Sequence, residues 1–350
     1  MLVPALRDRY DLSLTQIGVV LAAGGIGVLV TLLPWGLAAD RIGERAVLVA
    51  GLGTCGLLLV ATAYAPGFLS LVVLLGLAAA AGGGVSSASG RAVMHWFGAE
   101  ERGLALGIRQ TAIPLGGLVS AVVLPQLGLE AAFIFLGALC LGGAVVGLAV
   151  VREAGAGEEA ERSLASVLGN RRLWRVCLAS GLLVVAQSAL IGFAVLFLHD
   201  ERGFSTGEAA AVLAVVHVLA AALRIGAGRW SDVVGTRVVP LRRVGIAVFG
   251  AVSLAAALVS APAAVLLPAL VAAAALSMAW NGLSFAAVAE LAGRTRSGAA
   301  IGVQQSVIAA VGSVAPVAFA VTLGATSWRA AFALAGLFPL AGWWLLREPG

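Results

Sequence analysis

Stretches of about twenty apolar residues, each closed by arginine, glycine or proline, follow one another along almost the whole chain. Cut at those closures they fall at 16–37, 46–65, 69–94, 103–127, 131–151, 174–198, 208–230, 243–260, 263–289, 298–323 and 328–346, which makes eleven. Each is long enough to cross the roughly 30 Å of bilayer hydrocarbon as a helix. Of the 350 residues 61% are hydrophobic and only 11% charged. A water-soluble domain carries about 25% charged residues, so a soluble enzyme is excluded. The expected fold class is all-α, a polytopic membrane protein. The opening Met1–Tyr10 stretch has no basic segment followed by an apolar one and does not read as a signal peptide.

The charges then have to be read by side of the membrane. A net charge of +5 and a pI near 10.0 would suggest nucleic acid for a soluble chain, but all 22 basic residues are arginines scattered between apolar runs. Alternate breaks hold sixteen of them (41, 45, 91, 102, 152, 162, 171, 172, 175, 229, 237, 242, 243, 294, 296 and 347), and the opposite breaks hold four (7, 9, 202 and 329). Arg109 and Arg224 fall inside spans. Arginine collects on the cytoplasmic side, which predicts a multi-pass cell (inner) membrane protein with its C-terminus inside. The tryptophans Trp35, Trp96, Trp174, Trp230, Trp328, Trp343 and Trp344 stand near span ends, as an interfacial belt would. Cys55, Cys140 and Cys177 all lie in apolar stretches and predict reduced thiols.

The chain is internally duplicated. Gly36-Leu-Ala-Ala-Asp40-Arg41-Ile-Gly43-Glu-Arg45 returns as Gly228-Arg-Trp-Ser-Asp232-Val-Val-Gly235-Thr-Arg237. Gly103-Leu-Ala-Leu-Gly107-Ile-Arg-Gln110 returns as Gly298-Ala-Ala-Ile-Gly302-Val-Gln-Gln305, and Ala131-Ala-Phe133 as Ala330-Ala-Phe332. Three matches in order at nearly constant offset predict two halves, residues 1–151 and 174–350, joined by a solvated cytoplasmic linker over 152–173.

The Gly-x-x-x-Asp-x-x-Gly-x-Arg element, placed at an arginine-bearing break in each half, resembles the signature loop between helices 2 and 3 of the major facilitator superfamily and its weaker copy between helices 8 and 9. The resemblance covers the whole chain. It implies two six-helix bundles, of which this chain holds family helices 2–6 and 7–12, so that the first helix is expected to be missing and residues 2–15 to form the loop after it. It implies a role in conformational switching for Gly36, Asp40, Arg41, Gly43 and Arg45, with Gly228, Asp232, Gly235 and Arg237 as echoes. Glu44 stands where the family pattern favours a basic residue, which predicts a weaker positive cluster.

Charges at membrane depth face a cavity or a partner. Arg109 and Arg224 have no aspartate or glutamate in mid-span to pair with, so a substrate anion is a candidate counter-charge; snorkelling to the interface, or pairing with Asp40 and Asp232, is the alternative. Gln110, Gln187, Trp280, Asn281, Gln304 and Gln305 are further cavity candidates, because amides in hydrocarbon need either a neighbouring helix or a ligand. His217 lies seven residues before Arg224, on the same helix face, and could carry a proton.

Gly51-Leu-Gly53-Thr-Cys-Gly56 spells a dinucleotide fingerprint, but no acid follows before Glu100, so it reads as a helix-packing run. No hydrolase, zincin or phosphate-loop motif appears, and His95, His199 and His217 are too dispersed for a metal site. Neither an enzymatic activity nor a cofactor is expected. The predicted function is secondary transport of a small solute by alternating access, with an organic or inorganic anion as substrate, a coupling ion such as H+, and a monomeric chain in the lipid bilayer. Proton-coupled efflux of amphipathic compounds and a non-transporting membrane sensor are the alternatives. The first wants an intramembrane carboxylate and the second a sizeable cytoplasmic domain.

Overall fold

The computed structural model describes residues 2–152 and 163–347, and the regular structure among them is helical throughout. In chain order the helices are α1 (Val3–Tyr10), α2 (Leu14–Ile42), α3 (Glu44–Ala63), α4 (Phe68–Gly82), α5 (Gly84–Trp96), α6 (Arg102–Gln110), α7 (Ala112–Val123) and α8 (Leu129–Val150). Then come α9 (Ser163–Gly169), α10 (Arg171–Leu196), α11 (Thr206–Val234), α12 (Val238–Ala257), α13 (Ala263–Leu276), α14 (Trp280–Ala292), α15 (Ser297–Ala325) and α16 (Trp328–Leu345). Most of the expected linker, residues 153–162, lies outside the described residues.

Nine stretches among the described residues are long and apolar enough to cross a membrane, and each overlaps one of the eleven predicted spans. The other two depart for local reasons. The helix expected over 103–127 is broken at Thr111 into α6 and α7, and α16 carries Arg329, Pro339 and three tryptophans that dilute its hydropathy. The loop expected over residues 2–15 instead carries α1.

The duplication is plainest in α2 and α11, both 29 residues long. Each opens on a reciprocal capping box, in which a serine hydroxyl accepts the third residue's N–H and that residue's side chain accepts the serine N–H. The pairs are Ser13 with Gln16 and Ser205 with Glu208, 192 residues apart. Each helix ends where a glycine takes a positive φ, Gly43 at 89° and Gly235 at 70°. The predicted signature loops are therefore mostly helix. Gly36, Asp40 and Arg41 ride the last turns of α2, and Gly228 and Asp232 those of α11, because no glycine or proline stands between the two glycines of either element.

By packing, the chain falls into two compact units. One comprises Met1–Trp96, Gly117–Asn170 and Ala292–Ser306; the other comprises Phe97–Gly116, Arg171–Leu291 and Val307–Gly350. Each sequence half thus gives a short helical stretch, the start of α15 or the whole of α6, to the unit built mainly by the other half. These cuts differ from the sequence boundaries at 151 and 174, because a short helix start follows the side chains that receive it rather than its chain neighbours.

Small residues let helices close up inside the units. In the first, a Cβ on Gly56 would lie 2.8 Å from the Gly137 carbonyl oxygen, and one on Gly137 would lie 2.8 Å from the Gly56 oxygen. The apparent dinucleotide fingerprint thus serves helix packing, Gly56 against α8 and Gly51 against Ala81 of α4. In the second unit Phe197, Phe319, Trp328 and Phe332 form an aromatic cluster with centroids 5.1–6.3 Å apart. Large apolar side chains point outward, among them Leu69 at 74% and Val145 at 65% exposure, where only lipid tails can cover them.

Candidate functional site

Two carboxylates, one in each unit, hold the start of a helix that comes from the distant half of the sequence. In the first unit both oxygens of Asp40 accept backbone N–H bonds, from Gly298 at 3.0 Å and Ala299 at 2.7 Å. In the second unit Asp232 accepts from Gly103 at 2.9 Å and Leu104 at 2.7 Å. A carboxylate at that position pairs orphan N–H groups and sits at the positive end of the helix dipole. Glycine is required where the acid arrives. A Cβ on Gly298 would lie 2.6 Å from Asp40 Oδ1, and one on Gly36 would lie 2.5 Å from the Gly298 oxygen.

The arginines that neutralise these acids come from different places. Asp232 pairs with Arg237 of its own element, Nη1 to Oδ1 at 2.5 Å, while Arg237 also donates to Ser231 Oγ at 2.8 Å, to Glu290 Oε1 at 3.0 Å and to the Ala99 carbonyl. Asp40 instead pairs with Arg91 of α5, Nε to Oδ1 at 3.3 Å, and Arg91 also pairs with Glu44. Asp40, Glu44 and Arg91 are all at most 2% exposed. Arg41 is exposed and Arg45 half-buried, so neither takes the place Arg237 holds in the other unit. The departure at Glu44 is not a loss of charge at the surface. It is one member of a buried network, matched by an arginine on a neighbouring helix. Sequence reasoning missed Arg91, counting it among loop arginines although it lies inside a predicted span; its position in an otherwise apolar helix was the available signal.

The predicted cavity residues divide between the units. The second unit brings together five of them around two backbone carbonyls. Arg224, 1% exposed, donates from Nε to the Met278 carbonyl at 2.9 Å and from Nη1 to the Gln110 carbonyl. Both carbonyls stand at helix breaks. The acceptor of an intrahelical bond at Gln110 would need the N–H of residue 114, which is a proline and has none. Met278 lies in the turn between α13 and α14, and its oxygen also accepts from Asn281 Nδ2 at 3.2 Å. Asn281 Nδ2 reaches Gln187 Oε1 at 3.2 Å as well. Arg109 donates to Gln110 Oε1 at 3.2 Å and lies 5.7 Å from the centroid of Phe285.

Among the described residues four buried donors of this unit have no hydrogen-bond partner: Arg242 Nε, which lies apart beside Trp343, and Arg224 Nη2, Gln110 Nε2 and Trp280 Nε1. Buried donors without acceptors are rare and costly. His217 does not join them; its Nδ1 faces the Leu213 carbonyl at 2.7 Å on its own helix. In the first unit Gln305 donates to Ser86 Oγ, and Gln304 is fully buried. Among the described residues no group of three or more histidines, cysteines or acids is placed to hold a metal ion. Cys177 is buried, whereas Cys55 and Cys140 are half-buried and face each other with sulfurs 4.0 Å apart.

Comparison with known proteins agrees with this architecture. The family model of the Major Facilitator Superfamily matches residues 1–316. The chain is 33% identical over 347 residues to an uncharacterized MFS-type transporter of Mycobacterium tuberculosis, covering 97% of this chain and 78% of that protein. Shorter likenesses are to a hexuronate transporter of Bacillus subtilis, 30% identical over 34% of this chain and 28% of that one, and to a probable sulfoacetate transporter of Cupriavidus necator, 32% over 40% of this chain and 33% of that one. Among solved structures, the human organic anion transporter MFSD10 superposes with a TM-score of 0.81 at 18% identity, covering 95% of this chain and 84% of that one.

Proposed function

This chain belongs to the Major Facilitator Superfamily, a family of membrane transporters and not of enzymes, and on that premise we propose that it is a secondary transporter carrying a small organic or inorganic anion by alternating access. The observation that carries the substrate class is Arg224. Its guanidinium is buried in a membrane-spanning helix, two of its nitrogens are fixed by carbonyls, and Nη2 has no acceptor among the described residues. Carbonyl oxygens orient a guanidinium but do not neutralise it, so a bound anion supplies the missing charge and the missing acceptor together. Gln110 Nε2 and Trp280 Nε1 add neutral donors of the same unit. The partial likeness to transporters named for hexuronate and sulfoacetate, both anions, supports the same class.

Asp40 and Asp232 serve as the switch in this reading. Each cap is made in one conformation and released in the other, with Arg91 and Arg237 holding the carboxylates ready. The two duplicated halves are the moving parts, and the arginine bias supports a cytoplasmic linker and C-terminus in the cell membrane.

The test is a thermal-shift panel of small anions on the purified protein, followed by uptake into proteoliposomes of those that stabilise it, with hexuronate and sulfoacetate included. Arg224→Gln is expected to abolish stabilisation and uptake, and Arg224→Lys to retain a part. Anion uptake unchanged in Arg224→Gln, or stabilisation by neutral solutes alone, refutes the proposal.

A further inference from the structure

At the end of the second unit where α10 and α12 begin and α14 and α16 finish lies a cleft of about 570 Å³ with two kinds of wall. Its polar rim is Arg171, Arg172 and Arg175 from the first turns of α10, and its apolar depth includes Val238, Leu291 and Leu345. Three cations at the N-terminal end of a helix oppose the helix dipole, and the first turn of α10 holds no acid. Arg171 and Arg175 form no ion pair among the described residues; Arg175 donates to the Arg347 carbonyl at 2.8 Å. Arg171 and Arg175 therefore keep the rim electropositive.

Beside it, Arg242 and Arg347 lie against the Trp343 ring, 4.9 and 5.5 Å from its centroid. Tryptophan clasped by arginine at the ends of spanning helices marks the headgroup level of a bilayer. We propose that this cleft binds the phosphodiester of an anionic phospholipid, with the arginines on the phosphate and an acyl chain along Val238, Leu291 and Leu345. A soluble phosphate would use the rim alone and leave the apolar wall exposed, whereas a lipid uses both. The site is separate from Arg224 and does not depend on which solute the protein carries.

The full chain, purified in dodecyl maltoside, is titrated with dioleoyl phosphatidylglycerol, with dioleoyl phosphatidylcholine and with inorganic phosphate, and the melting temperature is read after each addition. The wild type is expected to gain more from phosphatidylglycerol than from phosphatidylcholine and nothing comparable from phosphate. In Arg171→Gln/Arg172→Gln/Arg175→Gln the half-maximal phosphatidylglycerol concentration is expected to rise about tenfold or more, with the phosphatidylcholine response intact as the sign of a folded protein. Should that variant not fold, the wild-type comparison and Arg171→Lys/Arg172→Lys/Arg175→Lys, which keeps the charge and the preference, carry the test. Equal responses to the two lipids overturn the proposal, as does an unshifted titration in a folded glutamine variant or a gain from phosphate that matches the lipid. A phosphatidylglycerol preference that emerges only when Glu153, Glu158, Glu159 and Glu161 are changed to glutamine also overturns it, because the acidic linker would then be the occupant.

Discussion

Arg91→Gln is expected to be the most damaging single change at the end of α2, and removing Glu44 as well is expected to relieve it. One buried guanidinium serves two buried carboxylates, Asp40 and Glu44. Taking away one member of a buried ion pair costs about 3–5 kcal/mol, because the other is left charged in a low dielectric. Asp40 keeps the N–H bonds from Gly298 and Ala299 in this variant, which retain a cap worth about 1 kcal/mol. The loss should therefore fall near the lower end, about 3 kcal/mol, shared between Glu44 and Asp40 as both lose this cation. Glu44→Gln leaves Arg91 on Asp40 and should cost about 1 kcal/mol. In Arg91→Gln/Glu44→Gln one of the two buried carboxylates that lose Arg91 is neutral, so the double variant should be more stable than Arg91→Gln alone by about 2 kcal/mol. Unfolding curves in mixed dodecyl maltoside and SDS micelles, fitted for all four proteins, give the cycle. Losses that simply add, or a Glu44→Gln as damaging as Arg91→Gln, would refute the argument that a single arginine balances both acids.

Three further outcomes are expected. Arg237→Gln should cost about 3 kcal/mol or more in the same unfolding assay, because Asp232 and Glu290 both lose their cation, whereas exposed Arg41→Gln should change stability by less than about 0.5 kcal/mol. Gly298→Ala should cost about 1–3 kcal/mol, since its methyl would meet both Asp40 Oδ1 and the Gly36 carbonyl oxygen at 2.6 Å; Asp40→Ala in the same background removes only the first clash and should recover part of that cost, and no recovery would place the whole cost on the Gly36 backbone. Pro114→Ala supplies an N–H for the Gln110 carbonyl in competition with Arg224, so helix content by circular dichroism should rise while KM for the transported anion increases; an unchanged KM would deny the proline its part in placing Arg224.

What was legible in the sequence follows from which forces act locally. A span must be apolar for twenty residues at a stretch, so nine of eleven were plain, and the two that differ are marked by Pro114 within reach of the break at Thr111 and by the tryptophans of α16. Asp40 and Asp232 were legible because the chain states them twice. Their receivers were visible only as repeated glycines, since nothing in a sequence joins Asp40 to Gly298 across 258 positions. Arg91 and Glu44, 47 residues apart, form a pair that only the packing of α3 on α5 creates. The break at Ser277–Ala279 contains neither glycine nor proline, so the Met278 carbonyl that holds Arg224 carried no local signal at all. The repeat at Ser13 and Ser205 was available but overlooked, because capping boxes stand outside the apolar runs that defined the spans.

The internal duplication separates two jobs that one copy alone would confound. Between the halves, the carboxylate that receives two N–H groups at a glycine is kept at the level of individual hydrogen bonds, 3.0 and 2.7 Å in one unit and 2.9 and 2.7 Å in the other. The arginine that balances it is not kept in place; it comes from α5 in one case and from the start of α12 in the other. Selection on the charge pair as such would have held the partners fixed, so the common requirement is the helix start, which fits a switch both halves must share. The opposite holds deeper in the spans. Arg109 of the first half corresponds to Gln304 of the second, and Pro114 has alanine as its counterpart at position 309. A substrate is not two-fold symmetric, so residues that bind it are free to differ between copies, and the two arginines of the proposed anion site, Arg109 and Arg224, belong to the asymmetric set, while its Gln110 is matched by Gln305. Arg109→Gln, which makes that position alike in both halves, should therefore lower anion uptake while leaving the unfolding free energy less affected than Arg237→Gln does. The reverse order would assign Arg109 to the scaffold and leave Arg224 alone at the site.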